Sequence, residues 1–99
     1  MFIEKRASEA FYRYHQFKRT DGNGWLGTLE TVSSCSVMVL DSSNANVSSS
    51  MVDNVAPYSN TQVIYRLKGG TAGKSYTVII NIVTSDANVF EDSFTLKVV

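Results

Sequence analysis

The segment from Gly69 to Ser75 is the stretch whose residue types come nearest to a phosphate site. Its last three residues, Gly73, Lys74 and Ser75, match the end of a P-loop, in which backbone N–H groups and a lysine hold phosphates. The first glycine of that motif would stand at position 68, which is Lys68, and the motif must open a helix. The residues that follow are rich in β-branched types and alternate in polarity. We therefore expect a loop between strands and no nucleotide site.

The other residue types that support catalysis or metal binding are few. His15 is the only histidine and Cys35 the only cysteine, so a zinc site lacks ligands and an internal disulfide is excluded. Serine is abundant, but nothing in the sequence places a serine and an aspartate beside His15 as in a catalytic triad. No two carboxylates have a spacing that suggests an acid and base pair. We predict that the chain is not an enzyme and has no catalytic, cofactor or metal site.

Length and composition limit the classes of protein that the chain can belong to. Its 99 residues form one domain, and their formal net charge of zero argues against binding to nucleic acid through phosphate neutralisation. No apolar run has transmembrane length, and the start of the chain lacks the hydrophobic region of a signal peptide, so we expect no membrane contact. The single cysteine fits a reducing compartment.

The charges are separated along the chain. Residues 1–20 carry five basic and two acidic side chains, whereas residues 21–60 carry four acidic side chains and no lysine or arginine. We therefore describe a basic N-terminal arm with the first strand over residues 1–20 and a β-sandwich over residues 21–99, within a single domain.

Alternating apolar residues predict three strands in the C-terminal half. The apolar sets lie at period two, which places each set on one face of a strand. They are Val63, Tyr65 and Leu67; Tyr76, Val78, Ile80 and Ile82; and Phe90, Phe94, Leu96 and Val98. The polar residues from Ser85 to Asn88 favour a turn, so the last two strands form an antiparallel hairpin.

Further strands are expected upstream. They cover Ala10–Lys18, Leu29–Leu40 with a bulge near Ser33 and Ser34, and Met51–Val55, which Pro57 closes. The alternative for Ser8–Ala10 is a helical turn. The residues from Asp41 to Ser50 are rich in serine and asparagine and predict a surface connection containing a short strand. Strands this frequent, separated by polar turns, predict an all-β fold, an immunoglobulin-like antiparallel β-sandwich of about seven strands.

Three residues have predicted structural roles in that sandwich. Gly73 followed by Tyr76 at the start of the penultimate strand resembles a tyrosine corner, in which the phenol anchors the preceding loop. Antibody domains have a cysteine two residues later, where this chain has Val78, and their tryptophan lies on the third strand, whereas Trp25 precedes the long strand. We expect the fold without the immunoglobulin function.

Apolar residues are also predicted on the outer side of the sheet. Ile79 and Val83 occupy the polar face of the penultimate strand, and we place Ile64 beside them. Either the N-terminal arm covers them or they form a subunit contact. In the second case, basic residues of the arm would face Asp41 or Asp53 of a neighbouring copy. The basic residues are Arg6, Arg13, Lys18 and Arg19.

The C-terminal sequence resembles that of small virion proteins of tailed bacteriophages. The resemblance rests on Leu67–Val78, Thr84–Asp86 and Glu91–Val98, and it extends loosely to Trp25 and the long strand after it. The chain is similar there to the phage fiber-tail adaptor or Ig-like head–tail protein family. Val89 replaces the basic residue that usually follows the hairpin turn in that family.

This resemblance implies a function that composition and spacing alone do not give. The chain would be a non-enzymatic structural protein of the virion, made in the host bacterial cytoplasm and acting as an adaptor or connector in the tail or neck region. Its partners would be other phage structural proteins and copies of itself. The alternative is an Ig-like binding or adhesion module for carbohydrate or a host surface, for which Trp25 and Tyr58 are the exposed aromatic candidates in loops.

Overall fold

The computed structural model describes residues 2–17, 31–58 and 61–99 of the chain. These residues form seven strands and one short helix. The strands are β1 (Phe2–Lys5), β2 (Phe11–Gln16), β3 (Val32–Leu40), β4 (Val52–Tyr58), β5 (Gln62–Leu67), β6 (Ser75–Thr84) and β7 (Val89–Val98), and the helix is α1 (Ser48–Met51).

The strands form two sheets that pack face to face. The four-stranded sheet has the order β1-β7-β6-β3, and the three-stranded sheet has the order β2-β5-β4. Strands β1 and β7 run parallel, whereas the other neighbouring pairs are antiparallel. If β2 to β7 are equated with strands B to G, the two orders are those of B-E-D and G-F-C in immunoglobulin-like sandwiches. The predicted all-β sandwich of seven strands is confirmed.

The core lies between the sheets and contains the apolar sets that the alternation predicts. Val63 and Leu67 of β5, Val78, Ile80 and Ile82 of β6, and Leu96 and Val98 of β7 have no solvent exposure. The β6–β7 hairpin is paired from Ser75 opposite Lys97 to Val83 opposite Val89, which confirms the predicted hairpin. Its turn contains Ala87 at a φ of 63°, a left-handed conformation at which short polar turns tolerate a non-glycine residue.

The upstream strands agree with the prediction in part. The pairing of β3 with β6 shifts between Val32 and Ser34, which confirms the bulge. The prediction that Pro57 closes β4 is wrong, because β4 continues to Tyr58 and Pro57 pairs with Val63. Strand β4 lies at the edge of its sheet, where a missing backbone N–H is tolerated.

The connection from β3 to β4 contains a single bridge between Leu40 and Asn46 and then the helical turn α1, where we expected a short strand. Val47 donates a backbone hydrogen bond to Val39, and Val39 donates one to the Ser48 hydroxyl. These bonds cover the C-terminal part of the β3 edge, so that this end of the sheet is closed by the chain itself.

Candidate interaction surface

The outward side of the three-stranded sheet presents aromatic side chains to solvent. Tyr12, Tyr14 and Tyr58 are 50%, 51% and 47% exposed. We call this surface the tyrosine face. From the register of β2, β5 and β4, it consists of Tyr12, Tyr14, Gln16, Asp53, Ala56, Tyr58, Gln62, Ile64 and Arg66. A sheet surface facing water is usually more polar, which makes this face a candidate site for binding another molecule.

The aromatic rings of the tyrosine face are held by contacts within the face. The Tyr14 and Tyr58 rings come from the two outer strands and meet with centroids 4.7 Å apart at an angle of 54°. Between those strands lies Ile64 of β5, which is half-buried. At the other end of β2, Asn54 donates a hydrogen bond of 3.0 Å to the Tyr12 hydroxyl. Fixed aromatic side chains lose little conformational entropy when a partner binds.

One end of the tyrosine face is charged. Arg66 donates two hydrogen bonds to Asp53, from Nε to Oδ1 at 2.8 Å and from Nη2 to Oδ2 at 2.5 Å. Lys68 lies 3.2 Å from the same carboxylate. The hydrogen bond from Arg66, with help from Lys68, lowers the pKa of Asp53 from 3.8 to about 2. Because Asp53 is neutralised within its own chain, it is a weaker partner for a neighbouring copy than the sequence indicated.

The inward-facing side of β2 carries two basic side chains. His15 Nε2 lies 2.8 Å from Asp92 Oδ2 of β7, so this pair bridges the two sheets, and the His15 ring meets Phe17 edge-on at 5.0 Å. Arg13 faces Tyr65. Burial raises the pKa of the Tyr65 hydroxyl, and the charge and hydrogen bond of Arg13 oppose that rise. Arg13 is therefore directed into the sandwich and away from the neighbouring copy that we expected it to face.

The remaining charged candidates lie apart. Arg6 is exposed in the turn after β1. Asp41 follows β3, and its Oδ1 accepts hydrogen bonds from Ser43 and from the Ala45 backbone, which lower the pKa of Asp41. Lys18, Arg19 and Trp25 are outside the described residues. In the part of the chain that the structure describes, no ion pair joins Arg6 to Asp41.

The three apolar candidates do not form one patch. Ile79 and Val83 face outward on the four-stranded sheet, next to Met38 and Val89. Ile64 faces outward on the three-stranded sheet, on the opposite side of the molecule. Placing Ile64 beside Ile79 was wrong, because β5 and β6 follow each other in the sequence but belong to different sheets. Strand β1 pairs along the edge of β7, and among the described residues Ile79 is half-buried and Val83 is exposed.

The loop before β6 has the predicted structural role. The Thr71 backbone donates a hydrogen bond of 2.9 Å to the Tyr76 hydroxyl, and Gly73, at a φ of 85°, donates one of 2.7 Å to Val98. The phenol thus anchors the loop, as in a tyrosine corner. Strand β6 follows the loop directly, so the helix that a P-loop requires is not formed here.

An open cleft of about 500 Å³ lies between this loop and the β3–β4 connection. Its lining is mixed, with Asp41 and Lys74 as charged residues, serine and threonine hydroxyls, and Met51 and Tyr76 as apolar ones. Within residues 2–17, 31–58 and 61–99, no three His, Cys, Asp or Glu side chains are grouped to hold a metal ion. No helix in the same ranges is long and apolar enough to cross a membrane.

The fold and its exposed aromatic face define a class, a small two-sheet β module with a surface suited to contact with another molecule. A search of the curated proteins finds no match to the chain. A family model does match residues 14–97, from the second half of β2 to the penultimate residue of β7. The chain belongs to this family, which is described as podophage GP4 fiber-tail adaptor protein gp77.

Proposed function

We propose that the chain is a non-enzymatic structural component of a bacteriophage particle, which joins tail proteins as an adaptor or connector in the tail or neck region. Membership of a fiber-tail adaptor family supports this role. The exposed tyrosine face is the observation that supports binding to another tail protein. The chain would be made in the host cytoplasm and work in several copies in the virion.

The tyrosine face has the composition of a protein-binding surface. Tyrosine is enriched among the residues that dominate binding energies, because its ring buries a large area and its hydroxyl still finds a partner. Tyr14 and Tyr58 lie on a rigid sheet with half-buried Ile64 between their strands, and Gln16 and Gln62 supply polar groups at the margin. We propose that a neighbouring tail protein covers this face.

Charges would orient the module among its neighbours. We propose that Arg6, with Lys18 and Arg19, faces the acidic middle of another copy or an acidic tail protein, and that the half-buried Asp41 is the acceptor. Interactions of this kind set orientation and the rate of encounter more than affinity. They are weakened by salt, because the screening length is about 8 Å at physiological ionic strength.

Incorporation into particles tests the proposal. In a phage that supplies the chain as a variant, Tyr14→Arg should lower the amount of the chain in purified particles by about tenfold or more, because a charge at the centre of a buried contact costs at least about 1.4 kcal/mol. The amount is measured by quantitative mass spectrometry, and circular dichroism of the purified chain verifies the fold.

Val89→Arg is the matched control, since Val89 is 68% exposed and points outward from the other sheet. It should be incorporated at the level of the unaltered chain. Normal incorporation of Tyr14→Arg would show that the tyrosine face is not the contact.

A second candidate function is binding of carbohydrate or a host surface. The Tyr14 and Tyr58 rings, with Gln16 and Gln62 beside them, also combine stacking surfaces with hydrogen-bonding groups. Purified chain would then bind glycans on an array, and Tyr14→Ala would remove that binding. Binding to tail proteins without glycan binding favours the adaptor function.

A further inference from the structure

Strand β1 closes the edge of β7 and lies outside the part of the chain that the family model matches. It pairs in parallel with β7, from Phe2 opposite Thr95 to Lys5 opposite Val98, while the match begins at residue 14. The sandwich of β2 to β7 therefore has an edge along Thr95–Val98 that a separate short segment occupies. We call this the acceptor edge.

Two side chains of β1 fit the acceptor edge. Ile3 packs against the core beside Leu96. Lys5 is 1% exposed, and its amine donates hydrogen bonds of 2.7 Å to the backbone carbonyls of Gly69 and Arg6. The backbone of Val99 donates a further hydrogen bond of 2.8 Å to Lys5. A strand that replaces β1 needs an apolar residue and a lysine two positions apart to make the same contacts.

The linker from β1 to β2 can act as a hinge. Its residues 6–10 are all exposed. Local hydrogen bonds hold it: the Glu9 backbone donates to Arg6, the Arg6 backbone donates to the Glu9 carboxylate, and the Lys5 amine donates to the carbonyls of Arg6 and Ala7. Few bonds must break for the linker to extend, and five extended residues span about 17 Å.

We infer that the acceptor edge binds β1 of a second copy of this chain, so that neighbouring subunits exchange their first strands. Every copy carries both the edge and the one strand shown to fit it, and exchange reproduces the same contacts between chains. The inference rests on the proposed function in one respect: it requires that copies of the chain lie side by side in the particle.

The local concentration of neighbouring copies determines whether β1 pairs with the acceptor edge of its own chain or with that of another chain. For a strand that a short linker joins to its own acceptor edge, the effective concentration of that edge is on the order of millimolar. In dilute solution each β1 therefore closes its own edge. Where copies are held next to each other at similar local concentration, exchange becomes comparable, and β1 then links one subunit to the next.

Disulfide trapping between two differently tagged chains tests the inference. Glu4 and Lys97 are exposed partners in the β1–β7 register. In a Cys35→Ser background, one chain carries Glu4→Cys and the other Lys97→Cys. Neighbouring strands lie about 4.8 Å apart, which suits a disulfide. After mixing at about 1 mM and mild oxidation, we expect a strong band of the mixed dimer on a non-reducing gel.

A third chain, with Glu91→Cys, is the matched control, because Glu91 is exposed on the same side of β7 but lies outside the paired positions. The dimer of Glu4→Cys with Lys97→Cys should exceed the dimer with Glu91→Cys at least tenfold. Equal amounts would overturn the inference, because random collision then explains both bands. A chain with both Glu4→Cys and Lys97→Cys, oxidised when dilute, verifies the β1 register by closing on itself.

These mixtures contain only purified chain. Failure of strand exchange would therefore leave the adaptor function standing, and failure of the Tyr14→Arg experiment would not affect the dimer band.

Discussion

The Tyr76 hydroxyl accepts a hydrogen bond from the backbone of Thr71, five residues earlier, and Tyr76 itself is 7% exposed. Removing the hydroxyl leaves the Thr71 N–H without this partner. We expect Tyr76→Phe to lower the free energy of unfolding by about 0.5–1.5 kcal/mol, the net contribution of such a bond. Urea denaturation measures it.

Tyr14→Phe is the control for this substitution, since the Tyr14 side chain is half exposed. Its effect should be within about 0.5 kcal/mol of zero, as for other surface positions. Equal losses for the two variants would mean that the bond to Thr71 does not stabilise the loop.

The ion pair of Asp53 with Arg66 predicts a dependence of stability on pH. The pKa of Asp53 falls from 3.8 to about 2 in the folded chain, so folding favours the carboxylate. This contribution is fully present above about pH 4 and is lost as the pH falls through 2. The difference in free energy of unfolding between the unaltered chain and Asp53→Asn should therefore shrink when urea denaturation at pH 6 is compared with that at pH 2. A difference that stays constant would contradict the prediction.

At the scale of elements, the β5–β6 loop holds three glycines at positive φ, and two of them, Gly70 and Gly73, require glycine for different reasons. Gly73, at a φ of 85°, has no atom within 4 Å of an added Cβ, so Gly73→Ala should cost only the strain of its backbone, about 1–2 kcal/mol. At Gly70, with a φ of 93°, a Cβ would also lie 2.8 Å from Val98 Cγ2 and 3.0 Å from Met51 Cε.

Gly70→Ala should therefore cost about 1–3 kcal/mol more than Gly73→Ala, because overpacking adds to the strain. Thermal and urea denaturation of both variants measure the difference. Equal costs would show that Val98 and Met51 move aside without loss of packing.

The elements that the sequence predicts well are those with uninterrupted alternation. In β7, the inward residues Phe94, Leu96 and Val98 differ so clearly from Ser93, Thr95 and Lys97 that one register buries them. The contrast is weaker in β6, where Ile79 and Val83 are apolar on the outward face. The bulge in β3 also follows from its length. The sequence alone identifies the residues of β1 only as part of the basic N-terminal arm, because four residues hold no periodic signal and their partner is more than 90 positions away.

The tyrosine face was missed for a related reason. Alternation in β2 separates Tyr12 and Tyr14 from Arg13 and His15, but it does not say which pair faces the core. Phe17 shares the face of His15 and is buried, and that signal could have settled the question. Only the pairing of β2 and β4 with β5 brings Tyr58 to Tyr14, and no local pattern contains this long-range information.

At the scale of the whole molecule, the two sheets are joined by packing and by a polar bridge between His15 and Asp92. The rings of Tyr65 and Phe94 stack across the core at 6.5 Å, and His15 meets Asp92 between β2 and β7. His15 is accommodated inside because Asp92 offers it a partner. Arg13 interacts with the Tyr65 hydroxyl, but its Nε is buried without a hydrogen-bond partner among the described residues, which is costly. The pattern of polarity along β2 thus depends on residues that lie far away in the sequence.

The parallel direction of β1 and β7 determines how the molecule resists tension. A force that pulls residue 2 and residue 98 apart acts along both strands, so the backbone bonds from Phe2 opposite Thr95 to Lys5 opposite Val98 are sheared together. A force between residue 2 and Asp86, in the hairpin turn, peels β1 away from one end, and the bonds break one after another. In optical-tweezers experiments we expect a higher rupture force for the first pair of attachment points, and equal forces would contradict this geometry. A contact made by exchange of β1 between neighbouring copies would then resist force best along the strand axis.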